Sequence, residues 1–177
     1  MKYLFISIVF FACVSKKDNI LKVYDDRIAI IPLFTSKSVM RSRGQNIILF
    51  YTYNNKKTNK YFFEIKNEVC QFTNDSIEYT PDILKLKYER GSKSYSQELV
   101  THVKILLAKM DELNIRDFKS DLSDVGIDLV IYLKKSRGFL VYLSNPKNVK
   151  LPYWINYLNP LQKLDSNWLC TTANGQY

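Results

Sequence analysis

The sequence predicts an α+β domain with a largely antiparallel sheet, formed by a meander and a later hairpin, and with one long and one short helix packed on one face. Apolar residues alternate with polar ones over several short segments, which is typical of strands that are buried on one face. In the middle of the chain, apolar residues instead recur every three or four positions, which is typical of a helix. A chain of 177 residues fits one such domain.

Seven extended segments are predicted in the first half of the chain. The clearest pair flanks a polar hairpin loop at 54–59, because apolar and polar residues alternate on both sides of it. Asp25 and Asp26 form a predicted turn between the first two segments. The predicted strands are 20–24, 27–34, 46–53, 60–66, 69–73, 77–79 and 83–89.

A long helix is predicted over 95–114, after a break that includes Gly91. Ser94 and Gln97 fit a capping box at its start. A linking segment rich in Asp follows it. The apolar stripe of this helix consists of Leu99, Val103, Leu106, Met110 and Leu113.

The second half of the chain is predicted to contain a hairpin, a short helix and a last strand. Alternating apolar residues over 127–133 and 139–143 flank a turn at 134–138. Pro152 suits the first position of a helix, and 168–172 has the composition of a strand. The domain is therefore expected over 20–172, followed by a polar tail at 173–177.

The amino terminus is predicted to be a targeting signal. Lys2 precedes an apolar run at 3–12, and Cys13 and a polar segment follow the run. This arrangement is typical of a secretory signal, and the run is shorter than the roughly 20 residues that a membrane-spanning helix needs. The alternative is a buried amino-terminal strand in which Cys13 is an ordinary core thiol.

The residues Phe10-Phe11-Ala12-Cys13 resemble the lipobox of bacterial lipoprotein precursors, although Phe10 stands where leucine is commonest. The resemblance covers only the amino terminus. It implies a signal peptide at 1–12, lipidation of Cys13 and a polar tether at 13–19. Val14 favours the outer membrane, facing the periplasm, because Asp at this position is typical of retention at the inner membrane. An uncleaved or differently cleaved signal is the alternative.

Cys70 and Cys170 are the cysteines of the predicted domain. In an oxidising envelope compartment they are candidates for a disulfide, which would close a loop of about 100 residues and contribute about 4 to 5 kcal/mol through chain entropy. Two separately buried thiols are the alternative, because the sequence gives no distance between the two α-carbons.

The formal charge of +9 falls to +8 once Lys2 is removed with the signal, which leaves 25 basic and 17 acidic side chains. Lys outnumbers Arg, the residue that recognises phosphates and base edges by bidentate contact, so nucleic acid is not expected as a partner. The scattered lysines favour an anionic membrane surface or an acidic protein. Five isolated glycines provide neither a P-loop nor a dinucleotide-binding motif.

His102 is the only histidine, and its ordinary pKa lies near neutrality, so an acid-base hypothesis starts there. Glu98 lies one helical turn earlier. A hydrolase would need a nucleophile from Ser144, Cys70 or Cys170. The alternative is a histidine at the edge of the core with a local Glu neighbour.

The densest acidic stretch of the sequence follows the long helix. Asp121, Asp124 and Asp128 could surround a hard cation such as calcium, but the Asp spacing and the terminal Glu of an EF-hand loop are missing, so neither a metal nor a cofactor is expected. Asp residues are also frequent in turns. The stretch contains Asp117, Asp121, Asp124 and Asp128.

An aromatic group near the carboxyl terminus has two interpretations. It forms either a ligand-binding surface or part of the core with tyrosine hydroxyls at its rim. Its members are Tyr153, Trp154, Tyr157 and Trp168.

The resulting expectation is a lipid-anchored protein of the bacterial envelope whose domain binds a partner or ligand without catalysis. An immunity-type protein that neutralises a periplasmic toxin is the alternative, and a hydrolase that uses His102 is the third hypothesis. The sequence identifies neither the ligand-binding residues nor the oligomeric state.

Overall fold

The structure is a computed structural model that describes residues 16–41, 47–54, 57–66, 69–79, 87–88, 93–134 and 138–171. The strands are β1 (Lys37–Arg41), β2 (Ile47–Asn54), β3 (Lys57–Lys66), β4 (Val69–Tyr79), β5 (Lys87–Tyr88), β6 (Ile115–Lys119), β7 (Leu129–Leu133), β8 (Phe139–Tyr142), β9 (Gln162–Lys163) and β10 (Trp168–Cys170). The helices are α1 (Lys16–Asp25), α2 (Arg27–Phe34), α3 (Lys93–Glu112) and α4 (Pro152–Leu158), with 3-10 turns at Ser123–Val125 and Pro146–Asn148.

The described strands form one sheet in the order β5-β4-β3-β2-β1-β6-β7-β8-β10-β9. Every neighbouring pair is antiparallel. This architecture confirms the predicted α+β class. It also confirms the late hairpin, in which β7 and β8 pair from Leu129 with Tyr142 to Tyr132 with Phe139. Within the described part of the chain, no helix has the length and apolar character needed to span a bilayer.

The first two predicted strands, 20–24 and 27–34, are wrong because both segments are helical. Their buried side chains recur at helical spacing. They belong to the larger cluster of buried residues, here called the main core, which also contains Phe50, Leu106 and Trp168. The buried side chains of the two helices are Ile20, Val23, Ile30 and Phe34. Asp26 does separate the two elements, as the predicted turn requires. α1 begins at Lys16, so the last four residues of the predicted tether at 13–19 are helical.

Two strands at the centre of the sheet, β1 and β6, were not predicted. β1 pairs with β2 along its whole length, but its registered pairing with β6 is only that of Val39 with Phe118. β1 and β6 therefore join a half-sheet of β1–β5 to a half-sheet of β6–β10.

The sheet is covered on both faces. α1, α2 and α3 contribute to the main core on the first face, where the rings of Phe34 and Phe118 stack at 4.2 Å between centroids. α4 instead packs through Leu158 on the second face, against Val130 and Val141. The predicted placement of the short helix on the same face as the long one is therefore wrong. The reason is that β7, β8 and β10 are apolar on both faces, so each face needs a cover.

The boundaries of the long helix differ from the prediction. α3 begins at Lys93, so Ser94 lies inside the helix and not at its cap. After α3 ends, Asn114 adopts a left-handed conformation with φ 55°, which is common for Asn beyond a helix terminus. In the first half, the predicted strands 69–73 and 77–79 are one strand, β4, and of the predicted strand 83–89 only Lys87–Tyr88 lies among the described residues.

Candidate functional site

A cavity of about 210 Å³ lies beside α4 on the second face of the sheet. Its wall is mainly apolar, and its polar residues are Asn159, Lys163 and Ser166. An apolar cavity of about 150 Å³ is large enough to bind benzene, so this cavity suits one ring or a short aliphatic group. It is lined by Leu143, Pro146, Val149, Ile155, Leu158, Asn159, Leu161, Lys163, Ser166 and Leu169.

Two prolines define the helix that forms one side of the cavity. Pro152 occupies the first turn of α4, where its missing N–H needs no partner. Leu158 is buried at the end of the helix, and Pro160 prevents further helix beyond it. The chain then turns back through the bond from Leu161 N–H to Leu158 O, which directs Leu161 into the cavity wall.

The cavity wall at Val149 depends on close contact with a glycine. Gly126 has φ +88°, and a Cβ at this position would lie 2.7 Å from the carbonyl carbon of Asn148 and 2.8 Å from the nitrogen of Val149. A side chain there would therefore meet both backbone strain and a steric clash. Asn145 fixes the same segment, because its side-chain oxygen accepts a hydrogen bond from Lys147 N–H at 3.1 Å.

Hydrogen bonds of Asn167, Asp128 and Asp165 fix the loops on the other side of the cavity. The side chain of Asn167 donates to the carbonyls of Leu143 and Ser144 at 2.7 and 3.0 Å. Asp128 accepts a hydrogen bond from Ser144 N–H at 2.6 Å. Asp165 accepts hydrogen bonds from the backbone N–H groups of Asn167 and Trp168 at 2.7 and 2.8 Å. These bonds fix the loops at the mouth of the cavity.

An exposed apolar surface lies on α4 beside the cavity. Tyr153 is 70% exposed, and its ring meets that of Trp154 edge to face at 5.1 Å between centroids. Trp154 also contacts Tyr157, which stacks on Phe139 at 6.0 Å. We use the name α4 surface for Leu151, Tyr153, Trp154, Ile155 and Tyr157 together with Lys147, Lys150 and Lys163.

The aromatic group predicted from the sequence is therefore divided by the structure. Tyr153, Trp154 and Tyr157 belong to the α4 surface, as the interpretation as a ligand-binding surface requires. Trp168 is 1% exposed and packs in the main core on the opposite face, so its grouping with the other three is wrong. The residues that line the cavity were missed, because Leu143, Val149 and Leu169 come from separate elements.

His102 lies over β1 and β2 on the first face of the sheet. Its ring is 6.1 Å from that of Phe50, and burial together with the nearby charge of Lys37 lowers the pKa of the imidazole. Its Nε2 atom is buried and has no hydrogen-bond partner among the described residues. Ser144 follows β8, and Cys170 belongs to β10. In the sheet, β6 and β7 lie between these strands and β1. The structure does not bring these candidate nucleophiles to His102.

Two residues of the acidic stretch, Asp117 and Asp128, accept hydrogen bonds within the fold. Asp117 accepts hydrogen bonds from Arg41 N–H at 2.9 Å and from Arg116 Nε at 2.6 Å, and Asp128 accepts from Ser144 as described. Asp121 and Asp124 are exposed. Among the described residues, no three His, Cys, Asp or Glu side chains are grouped so that they would hold a metal ion.

The two cysteines of the domain lie on distant strands. Cys170 is buried on β10, and Cys70 belongs to β4. Six strands lie between β4 and β10 in the sheet. The disulfide stays a prediction, and Cys13 lies outside the described residues.

The fold and the cavity define an α+β domain with a small, mainly apolar cavity on the second face of its sheet. Searches of protein-family models, curated proteins and solved structures found no match. The function therefore has to be inferred from the site itself.

Proposed function

We propose that this chain is a lipid-anchored protein of the bacterial envelope whose domain binds an apolar group without catalysis. The observation that carries the binding function is the cavity beside α4. Its apolar wall and its volume of about 210 Å³ suit one aromatic ring or a short aliphatic group. This size is below the 300 to 1,000 Å³ that is typical of sites for larger small molecules.

The composition of the site supports binding over catalysis. Lys163 is the ionisable side chain among the ten residues that line the cavity. General acid-base or nucleophilic chemistry needs a second group placed at hydrogen-bond distance from the first. The polar atoms of Asn159 and Ser166 would orient a bound group at the rim.

The anchoring part of the proposal rests on residues 1–13. The apolar run at 3–12 and the lipobox-like Phe10-Phe11-Ala12-Cys13 are its support. Several acyl chains on Cys13 would hold the protein firmly, because each buried methylene contributes about 0.8 kcal/mol.

Methyl NMR with benzene as the probe tests the binding site. We expect benzene to shift the methyl resonances of Leu143, Leu158 and Leu161, while those of Leu106 and Leu133 in the main core stay unchanged. Val149→Phe fills the cavity and should abolish the shifts. Equal shifts in both groups, or none at the cavity, would contradict a binding site beside α4.

Fatty-acid labelling in a bacterial host tests the anchor. The wild-type chain should take up the label, and Cys13→Ser should not. Cys170→Ser serves as the matched control and should be labelled like the wild type. An unlabelled wild-type chain would exclude lipidation at Cys13.

One observation favours the alternative that the chain is an immunity-type protein. The segment 143–164 contains Lys147, Lys150 and Lys163 and no Asp or Glu. A basic apolar surface of this kind also suits an acidic protein partner. Binding of an acidic protein at the α4 surface would support this second function.

A further inference from the structure

We infer that the α4 surface rests on an anionic lipid bilayer and holds the domain against the membrane. This inference rests on the proposed anchor at Cys13 and assigns a partner to the α4 surface. Three features carry it, namely the exposed apolar side chains, the charge of the segment, and the short connection to the anchor.

The first feature is the kind of side chain that α4 exposes. Tyr153 is 70%, Leu151 50% and Tyr157 40% exposed. A contiguous apolar patch of this kind marks a contact surface in proteins. Tyr and Trp are the residues that are enriched where a bilayer meets water, because one end of each side chain is apolar and the other is polar.

The second feature is charge complementarity. Lys147 and Lys150 are exposed immediately before α4, and Lys163 is exposed shortly after it. The segment 143–164 contains no Asp or Glu, and the carboxylates beside it, Asp128 and Asp165, accept hydrogen bonds from backbone N–H groups. Lysines beside an exposed apolar surface are typical of attachment to anionic lipid.

The third feature is the length of chain between the anchor and the fold. α1 begins at Lys16, only three residues after Cys13. An extended chain spans at most about 3.6 Å per residue, so the start of α1 lies within about 11 Å of a lipidated Cys13. The domain is therefore held next to the bilayer and not at a distance from it.

The position of the helices sets the orientation. α1 packs on the first face of the sheet and α4 on the second. The start of α1 and the α4 surface can both lie at the same bilayer only if the sheet is perpendicular to the membrane plane. The bilayer therefore contacts the α4 surface from the side.

Tryptophan fluorescence in vesicles tests the inference. The full chain has two tryptophans, and Trp168 is buried in the main core. Quenching by brominated phosphatidylcholine therefore reports contact between lipid and Trp154. We expect quenching in vesicles of brominated phosphatidylcholine with phosphatidylglycerol, and less quenching when phosphatidylglycerol is left out.

Two variants separate this surface from the cavity, because none of the changed residues lines it. Leu151→Ser with Tyr153→Ser should abolish the quenching. Lys147→Gln with Lys150→Gln should lower the ratio of docked to undocked protein by roughly 30-fold, from about 1 kcal/mol for each lysine. Circular dichroism checks that both variants are folded.

The matched control changes apolar residues that are exposed on the other face. Ile28 on α2 is 81% and Ile105 on α3 is 53% exposed. Ile28→Ser with Ile105→Ser should leave the quenching of Trp154 unchanged. Equal loss in this control would overturn the assignment to the α4 surface.

The outcomes distinguish the inference from the function on which it rests. Vesicle-bound protein with unquenched Trp154 would overturn the inference while leaving the anchor intact. Emission from Trp154 that responds to an acidic protein or to a second copy of the chain, but not to lipid, would also overturn it. A wild-type chain that takes up no fatty acid but shows quenching would support the α4 surface and exclude the anchor.

Discussion

Asp165 connects two faces of the sheet through a single carboxylate. On the second face it accepts the N–H groups that fix the mouth of the cavity, and its other oxygen accepts a hydrogen bond from the hydroxyl of Tyr24 on α1 at 2.8 Å. Burial alone would raise the pKa of Asp165, but the hydrogen bonds from Asn167, Tyr24 and Trp168 bring this pKa below its usual value. The folded protein therefore favours the ionised carboxylate.

This lowered pKa predicts a loss of stability in acid. A carboxyl group whose pKa is lower in the folded than in the unfolded state stabilises the fold fully above its unfolded pKa, near 3.9. The stabilisation is lost as the pH falls through the folded pKa. The urea midpoint of the wild type should therefore decrease as the pH falls below about 5.

Asp165→Asn tests the origin of that decrease. The variant should have a lower urea midpoint at neutral pH, because the charged hydrogen bonds are lost, and a smaller change on acidification. Asp124 is exposed, so Asp124→Asn is the matched control and should retain the wild-type pH dependence. An Asp165→Asn profile parallel to the wild type would assign the acid sensitivity to other carboxylates.

Gly126 is the second single residue on which the structure of the cavity depends. Gly126→Ala should destabilise the protein by about 1 to 3 kcal/mol from backbone strain alone, and the clash with Asn148 and Val149 adds to this. It should also displace the cavity wall and weaken the benzene shifts. Ser123→Ala, an exposed change in the same turn, should leave both urea denaturation and the benzene shifts unchanged.

At the scale of elements, the strand that was wrongly predicted at 27–34 shows where the sequence pattern fails to indicate a helix. The segment 27–34 is almost wholly apolar and contains Pro32, which lacks the N–H that a helix interior uses. Its sequence therefore favours an extended structure. Burial of Ile30 and Phe34 in the main core outweighs that preference, since most helical stability in proteins comes from packing.

The elements that were predicted correctly have patterns that repeat over a short stretch of sequence, although α3 buries one face and β7 and β8 are buried on both faces. The stripe of α3 and the hairpin of β7 and β8 repeat at 3.6 and 2 residues respectively. β1 and β6 lack such a repeat, and their place in the sheet depends on strands distant in sequence. The same limit applies to the site, where the aromatic residues of α4 are close in sequence and the lining residues of the cavity are not.

The helical assignment of α2 leads to a direct prediction. Phe34→Ala removes a fully buried ring that stacks on Phe118, and it should cost about 3 to 5 kcal/mol in the free energy of unfolding. Ile28→Ala on the exposed side of the same helix should have little effect. Equal costs for the two changes, measured by urea denaturation, would contradict a helix at 27–34, because a strand places residues 28 and 34 on the same face.

At the scale of the whole molecule, the junction between β1 and β6 decides whether the sheet unfolds as one unit. Two buried serines supplement the short pairing there. Ser120 accepts a hydrogen bond from Ser36 N–H at 2.9 Å and donates to the carbonyl of Asp128 at 2.7 Å, while its own N–H donates to Ser38 Oγ. The hydroxyl of Tyr53 also donates to Ser38.

Burial raises the pKa of Tyr53 to about 12, so its hydroxyl remains a donor in alkaline solution as well as at neutral pH. The main core also extends across the junction, from Phe63 on β3 to Trp168 on β10. A core that both half-sheets share should couple their unfolding, even though the strand pairing between them is short.

Ser120→Ala tests this coupling. The change leaves Ser36 N–H and the Asp128 carbonyl without their partner, at a cost of about 1 to 3 kcal/mol. If the sheet is one cooperative unit, native-state hydrogen exchange should show the same decrease for the amides of Phe50 in one half-sheet and Ile131 in the other. Ser144→Ala, at an exposed position, should change neither amide. A decrease confined to one half-sheet would mean that the halves unfold separately, and the shared core would then be too weak to couple them.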